Sequence, residues 1–212
     1  MTTIRSIQKK DDPAVAKMIR DVLVEQGAPK TGTAYEDYAT DNMFETYDKN
    51  RSDYFLLEEN GELIGSAGIS PLAGETQTVC ELQKMYFLPE ARGRGLGGEM
   101  MHYCLDFAKK QNFKAAYIET LPSMIAAQKL YKKTGFKQID KRLGETGHYS
   151  CTVWLLKDLW LNHLDFQTFA VIEFGDFFGF LFGEIIFITV WCKNRVASFG
   201  IFRVAFQEII AC

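Results

Sequence analysis

The stretch Arg92-Gly93-Arg94-Gly95-Leu96-Gly97-Gly98 constrains this chain more than any other. It links a strand-like run, Val79–Phe87, to a helix-like run, Glu99–Lys110. Glycines in such a link remove Cβ atoms, so the backbone can approach a ligand closely. The amides of the loop and of the first helical turn lack internal partners and point outward. The helix N-terminus adds partial positive charge, and Arg92 and Arg94 add full charges. Together these features predict a site for a diphosphate.

Two phosphate readings can be weighed on the residues alone. A P-loop requires Lys and then Ser or Thr after its last glycine. Here Gly98 is followed by Glu99 and Met100, which excludes it. Gly93-x-Gly95-x-x-Gly98 does match a dinucleotide fingerprint, and Glu119 falls where a ribose-binding acid is expected. Against that, Leu88-Pro89-Glu90-Ala91-Arg92 separates the strand from the glycines. The strand itself, Cys80-Glu81-Leu82-Gln83-Lys84-Met85-Tyr86-Phe87, carries three polar residues in its middle. It is not the apolar run of a buried parallel strand, and it suits a strand with one face open to a site.

Along the chain, Thr2–Ile7 reads as a strand. Asp11 or Asp12, with Pro13, opens a helix carrying Val15, Met18, Ile19, Val22 and Leu23, which Gly27-Ala28-Pro29 stops. Tyr35 to Tyr47 is predicted as a second, more polar helix. Asp53–Glu58 and Glu62–Ile69 form a hairpin, and Thr78–Phe87 is the next strand. Leu96–Lys110 is a helix and Lys114–Thr120 a strand. A helix from Pro122-Ser123 to Thr134 has Gly135 at its C′ position. Phe136–Asp140 and His148–Leu156 close the pattern. The order β-α-α-β-β-β-α-β-α-β-β predicts an α/β fold with a mixed sheet.

The glycine loop resembles the Q/R-x-x-G-x-G/A signature of the GCN5-related N-acetyltransferases, with Arg92, Gly95 and Gly97 at its defined positions. Ala127–Phe136 resembles that family's second signature, a helix ending in L-Y-x-x-x-G-F, filled by Leu130, Tyr131, Gly135 and Phe136. The resemblance covers roughly Thr2 to Leu159. It implies a mixed, mostly antiparallel sheet flanked by helices, and acetyl-coenzyme A as co-substrate. It places the coenzyme along Met85, Tyr86 and Phe87 and on the loop Arg92, Gly93, Arg94, Gly95, Leu96, Gly97 and Gly98. Many members carry an asparagine seven residues before the catalytic tyrosine. That position is Met124 here, and a thioether cannot donate a hydrogen bond, so the contact passes to Ser123 or to backbone.

Acetyl transfer from a thioester to an amine needs a base for the amine, stabilisation of the oxyanion, alignment, and a proton for the thiolate. Tyr131 suits the last task, because its phenol donates with an ordinary pKa of about 10. Read without the signature, it is a packing residue with its hydroxyl at the rim. Glu81 matches the position of the catalytic glutamate in histone-type members, and burial would raise its pKa towards neutrality. It can equally be read as the partner of Lys84. Gln83 shares its strand face. His148, Tyr35, Glu36 and Asp37 are expected on the acceptor side, and His102 on the surface. A non-catalytic acyl-coenzyme A-binding module is the rival reading. It would keep the loop and need neither Tyr131 nor Glu81.

The net charge of −3 gives no electrostatic case for nucleic acid or an acidic membrane. Five widely spaced cysteines without C-x-x-C predict neither a disulfide framework nor structural zinc, and no metal is expected. The first residues show no apolar secretory segment, so the cytoplasm is the default setting. The expected acceptor is a small-molecule or peptide amine, and a homodimer is compatible with the sequence.

Residues 1–159 are expected to form the acetyltransferase domain, and 160–212 a Phe-rich hydrophobic extension. The extension holds 11 of the 17 phenylalanines and neither Pro nor Tyr. Three readings of it stay open: a membrane-associated segment, a tail packed on the domain or on a second subunit, and an out-of-frame extension with no selected fold. Glu184 and Asp176 weigh against the first.

Overall fold

Strands β2 (Asp53–Glu59), β3 (Glu62–Pro71) and β4 (Val79–Phe87) form a meander at the centre of the sheet. The computed structural model describes residues 1–160 in full. Beyond them it describes the backbone of residues 170–174, 177–182, 185–192 and 195–203. Contacts divide the chain into Met1–Trp160 and Leu161–Cys212.

In the first unit, β1 (Thr2–Ser6), β5 (Ala115–Thr120), β6 (Lys137–Ile139) and β7 (Val153–Asp158) complete a sheet of order β1-β2-β3-β4-β5-β7-β6. Every pairing is antiparallel except β4 with β5. Helices α1 (Asp12–Glu25) and α4 (Leu96–Lys110) cover opposite faces of the sheet. Phe55 and Leu57 pack with Met100, Met101 and Cys104 of α4. Tyr54 and Leu56, pointing the other way by the period of two, pack with Val15, Ile19 and Leu23 of α1. Seven consecutive buried residues in β3 follow from cover on both sides.

The expected single helix over Tyr35–Tyr47 is instead two short ones, α2 (Tyr38–Asp41) and α3 (Met43–Tyr47). They break at Asn42, where φ is −134° and ψ is 47°. Thr40 Oγ1 donates to the Ala34 carbonyl at 2.6 Å, and the Asp12 carboxylate accepts the Phe44 N–H at 2.8 Å. Polar side chains here take over backbone groups that a continuous helix would use.

The last strand begins at Val153, not His148. Residues 140–152 form a loop tied back by Glu145 N–H to Ala73 O at 2.8 Å and by Leu143 N–H to the Tyr117 hydroxyl at 3.3 Å. Helix α5 runs Ile125–Lys133, starting later than expected because a turn through Met124 precedes it.

Two features open the sheet beside α5. The β4–β5 pairing stops at Glu81↔Tyr117. On the other edge of β4, Ser66 faces Tyr86 but Gly68 faces Gln83, so Lys84 and Met85 oppose Ala67 alone. This bulge places Lys84 at φ 48° and bends the strand away from β5.

In the second unit, strands β8 (Ala170–Phe174), β9 (Phe177–Phe182), β10 (Ile185–Cys192) and β11 (Arg195–Arg203) form an antiparallel meander. The side-chain environments that would separate the three readings of this extension lie outside the described residues. Among the described residues no helix is long and apolar enough to cross a membrane.

Candidate active site

The glycine loop follows β4 through a short turn, Pro89–Ala91, and meets α4 at Gly95. Gly95 has φ 85° and ψ −12°, a left-handed conformation that costs a residue with a Cβ about 1–2 kcal/mol. The N–H groups of Gly98 and Glu99 return to the Gly95 carbonyl at 2.8 and 3.3 Å. Among the described residues no hydrogen bond uses the amides of Gly93, Arg94, Gly95, Leu96 or Gly97. Of these residues, Gly93, Gly95 and Gly97 border a cavity of about 370 Å³. Arg92, Gly93, Gly95, Gly97 and Gly98 line one side of it, and Met85, Tyr86 and Phe87 another. Ala127, Leu130 and Tyr131 of α5 face them.

The two loop arginines are not free charges. Arg92 grips Glu25 through two bonds of 2.6 and 2.7 Å and donates to Phe87 O at 2.9 Å, tying α1 to the end of β4. Arg94 grips Glu59 at 2.6 and 3.0 Å. The loop's anion-binding character therefore rests on amides and the helix terminus more than on guanidinium charge. Arg94, Leu96 and Ser123 do not line the cavity. Leu96 is buried in the core beneath α4, and Ser123 is exposed while its neighbour Met124 takes the wall.

A second, smaller cavity of about 50 Å³ lies where β4 and β5 part. Glu81, only 3% exposed, stands on its wall with Gln83 and Lys84. Tyr47 donates to Gln83 Oε1 at 2.7 Å, which turns the Gln83 amide nitrogen onto Glu81 Oε2 at 2.5 Å. Burial pushes the Glu81 carboxyl up to about 7, against the opposing pull of the Gln83 hydrogen bond and the nearby His148 and Lys84.

Lys84 pairs with Asp37, whose carboxylate also meets His148 Nε2 at 3.0 Å. Burial raises the Asp37 carboxyl, but His148 and Lys84 outweigh it and hold it at about 2. Of the residues expected on the acceptor side, Asp37 and His148 thus converge. Tyr35 instead lies under Arg20 and Lys30, and Glu36 and His102 are exposed.

Tyr131 is held by the end of its own helix. Phe136 N–H donates to Tyr131 O at 3.0 Å and Gly135 N–H to Lys132 O at 3.1 Å, a Schellman cap with Gly135 at φ 90°. The Phe136 ring lies 6.3 Å from the Tyr131 ring. The motif L-Y-x-x-x-G-F is therefore a capping device that fixes one tyrosine. Tyr131 is 6% exposed and lines both cavities, as do Met85, Tyr86 and Met124. Burial raises its phenol well above the ordinary value, so it stays protonated. A carboxyl pushed up to about 7 by burial and a phenol kept protonated by burial thus border two cavities that share lining residues, an arrangement suited to proton transfer in both directions.

Sequence reasoning did not place several neighbours in this site, although it noted Glu119 for a dinucleotide reading. Glu119, with its side chain 1% exposed, lines the smaller cavity and accepts from the Tyr117 and Thr146 hydroxyls, each at 2.7 Å. Arg142 Nε lies 3.2 Å from Glu119 Oε1 without hydrogen-bond alignment. Cys151 also lines this cavity, and burial raises its thiol to about 11. A lone acid in the apolar strand Ala115–Thr120 was the one available signal for Glu119. Nothing local marks Arg142 or Cys151.

Comparisons with known proteins agree with this architecture. The sequence pattern of the Acetyltransferase (GNAT) family matches residues 18–136. The chain is 38% identical over 157 residues to the N-acetyltransferase YjgM of Escherichia coli (strain K12), covering 74% of this chain and 94% of that protein. It is 32% identical over 89 residues to the N-alpha-acetyltransferase RimI of Mycobacterium tuberculosis, covering 42% and 54% respectively. Among solved structures, a GNAT-family acetyltransferase from Staphylococcus aureus Mu50 superposes with a TM-score of 0.66 at 18% identity, over 75% of this chain and 99% of that one. A phosphinothricin acetyltransferase from Sinorhizobium meliloti, solved with acetyl-coenzyme A, superposes with a TM-score of 0.60 at 20% identity, over 74% and 88%.

Proposed function

This chain belongs to the GNAT acetyltransferase family, and from that premise we propose how its residues carry an acetyl group from acetyl-coenzyme A to a primary amine. The amides of Gly93, Gly95 and Gly97 hold the coenzyme's diphosphate at the N-terminus of α4. The pantetheine arm runs beside Met85, Tyr86 and Phe87 in the larger cavity, where the sheet is open. A backbone amide of this segment stabilises the thioester oxygen as it becomes an oxyanion. The amine enters the smaller cavity, and Glu81 accepts its proton. The nitrogen bonds to the acetyl carbon, the carbon–sulfur bond breaks, and Tyr131 protonates the departing thiolate.

One observation carries this reading: the two cavities share the walls formed by Met85, Tyr86, Met124 and Tyr131. Tyr131 on the shared wall and Glu81 on the wall of the smaller cavity support the reading of the first as proton donor and the second as proton acceptor. Direct attack within a ternary complex is favoured because Cys151, a thiol in the smaller cavity, is held up at about 11 and supplies little thiolate. A pure binding module would have no need for a buried carboxyl raised to about 7 beside that junction. The setting we assign is cytoplasmic, and the acceptor a small or peptidic amine.

The test combines acetyl-coenzyme A titration with amine-dependent release of free thiol and detection of the N-acetylated product. Binding with no thiol release across a broad amine panel would leave a binding module and overturn the proposal.

A further inference from the structure

The smaller cavity contains a feature that plain amine acetylation does not explain. Lys84 lies on its wall, yet an amine acceptor arrives as a cation that a lysine repels. The Lys84 side chain is only 6% exposed, and burying an ammonium is costly unless its donors are used. It offers three N–H donors, and among the described residues only Asp37 accepts one. The residue also holds φ 48°, a strained conformation for a side chain of this size, at the bulge that turns it into the cavity.

The pair with Asp37 accounts for one donor and for anchoring the segment before α2. It does not account for His148, which reaches the same carboxylate at 3.0 Å from the loop after β6 and lines the same cavity. The other charged groups are arranged in contrast. Glu119 accepts from Tyr117 on Oε1 and from Thr146 on Oε2, beside Arg142. Glu81 receives Gln83 on Oε2, and among the described residues no group bonds its Oε1. The cavity wall thus carries, on one bulged strand, a Glu81 carboxylate oxygen with no bond among the described residues and a Lys84 ammonium with donors beyond the one that Asp37 accepts.

We propose that the acceptor is a small free amino acid, whose amine is taken by Glu81 and whose carboxylate is taken by the spare donors of Lys84. This rests on the acetyltransferase reading for the amine's fate, but not for the binding geometry. This cavity is the smaller of the two, which favours a small side chain. Lys84 acts as a specificity residue. It gives the carboxylate charge-assisted donors beyond the one that Asp37 accepts, and those donors stay unused when the carboxylate is missing.

The experiment is isothermal titration of the full chain saturated with coenzyme A, using matched sets: L-serine, L-serinamide and ethanolamine, then L-alanine, L-alaninamide and ethylamine. The free acid of at least one set is expected to bind about 100-fold or more tightly than its amide and its decarboxylated amine, since a site built for a polar group rejects analogues lacking it. Lys84→Met should weaken that acid by about 10- to 100-fold without changing coenzyme A affinity, and Lys84→Arg should restore part of the loss. The parent chain decides the first arm even if a variant fails to fold.

Equal or tighter binding of the decarboxylated amines overturns the proposal. Equal binding of the amides, which mimic a peptide N-terminus, does so as well, and so does absence of binding by either acid. Selective binding of an acid with no thiol release from acetyl-coenzyme A supports the amino-acid site while removing the catalytic reading.

Discussion

The proposed roles of Glu81 and Tyr131 are opposite, although burial acts on the same charge change in both. Both become anions on losing a proton, and both are raised by burial. The carboxyl starts low and arrives at about 7, where it can accept a proton near neutrality, while the phenol starts high and is pushed out of reach. The acidic limb of kcat/KM should therefore have its midpoint near pH 7, and Glu81→Gln should flatten that limb and lower the plateau. A profile that keeps its shape would assign the base elsewhere. The same shift affects stability. The folded pKa of Glu81 lies above its ordinary 4.5, so its contribution is complete below about 4.5 and is lost as pH rises through about 7. The melting temperature of Glu81→Gln relative to the parent should accordingly rise from pH 5 to pH 8. Tyr131→Phe should lower kcat by roughly 10²–10⁴-fold with little change in the KM for acetyl-coenzyme A, as for a lost general acid. A kcat equal to the parent's would return Tyr131 to packing alone.

The loop and the bulge are the elements that make room for chemistry. At Gly95, an added Cβ would meet nothing within 4 Å, so packing does not demand glycine there. The left-handed φ and the groove wall do. Gly95→Ala should cost about 1–2 kcal/mol of stability from backbone strain alone. Its coenzyme affinity, measured by titration on the folded variant, should fall further than that strain explains. Unchanged affinity would move the diphosphate off this loop. The bulge at Lys84 has no signature in the string of residues, because it arises from the register between β3 and β4. The break at Asn42 is similar. The sequence has helical spacing across it, and the bonds from Thr40 to Ala34 O and from the Phe44 N–H to Asp12, thirty-two positions away in sequence, favour two helices.

At the scale of the molecule, the first unit ends where its core does. Leu159 is 4% exposed and donates its N–H to Lys114 O at 2.8 Å, while the Trp160 indole donates to Phe113 O at 2.6 Å. A chain ending at residue 160 should keep the kcat and melting transition of the full chain. One ending at 158 should lose about 1.5–3 kcal/mol for the Leu159 side chain alone. Loss of activity in the chain ending at 160 would make the Phe-rich segment part of the enzyme. What the sequence determined by itself was local: the strand–glycine loop–helix unit, the capped helix of Tyr131, the order of elements and hence the fold class. Such features depend on residues a few positions apart, which their own backbone chemistry constrains. The tertiary structure alone decided which polar groups meet. It paired Arg92 with Glu25 and Arg94 with Glu59, drew Lys84 and His148 onto Asp37, and set Glu119 in the cavity wall. Those partners lie far apart in sequence, and desolvation and charge act through space, so neither spacing nor composition could reveal them.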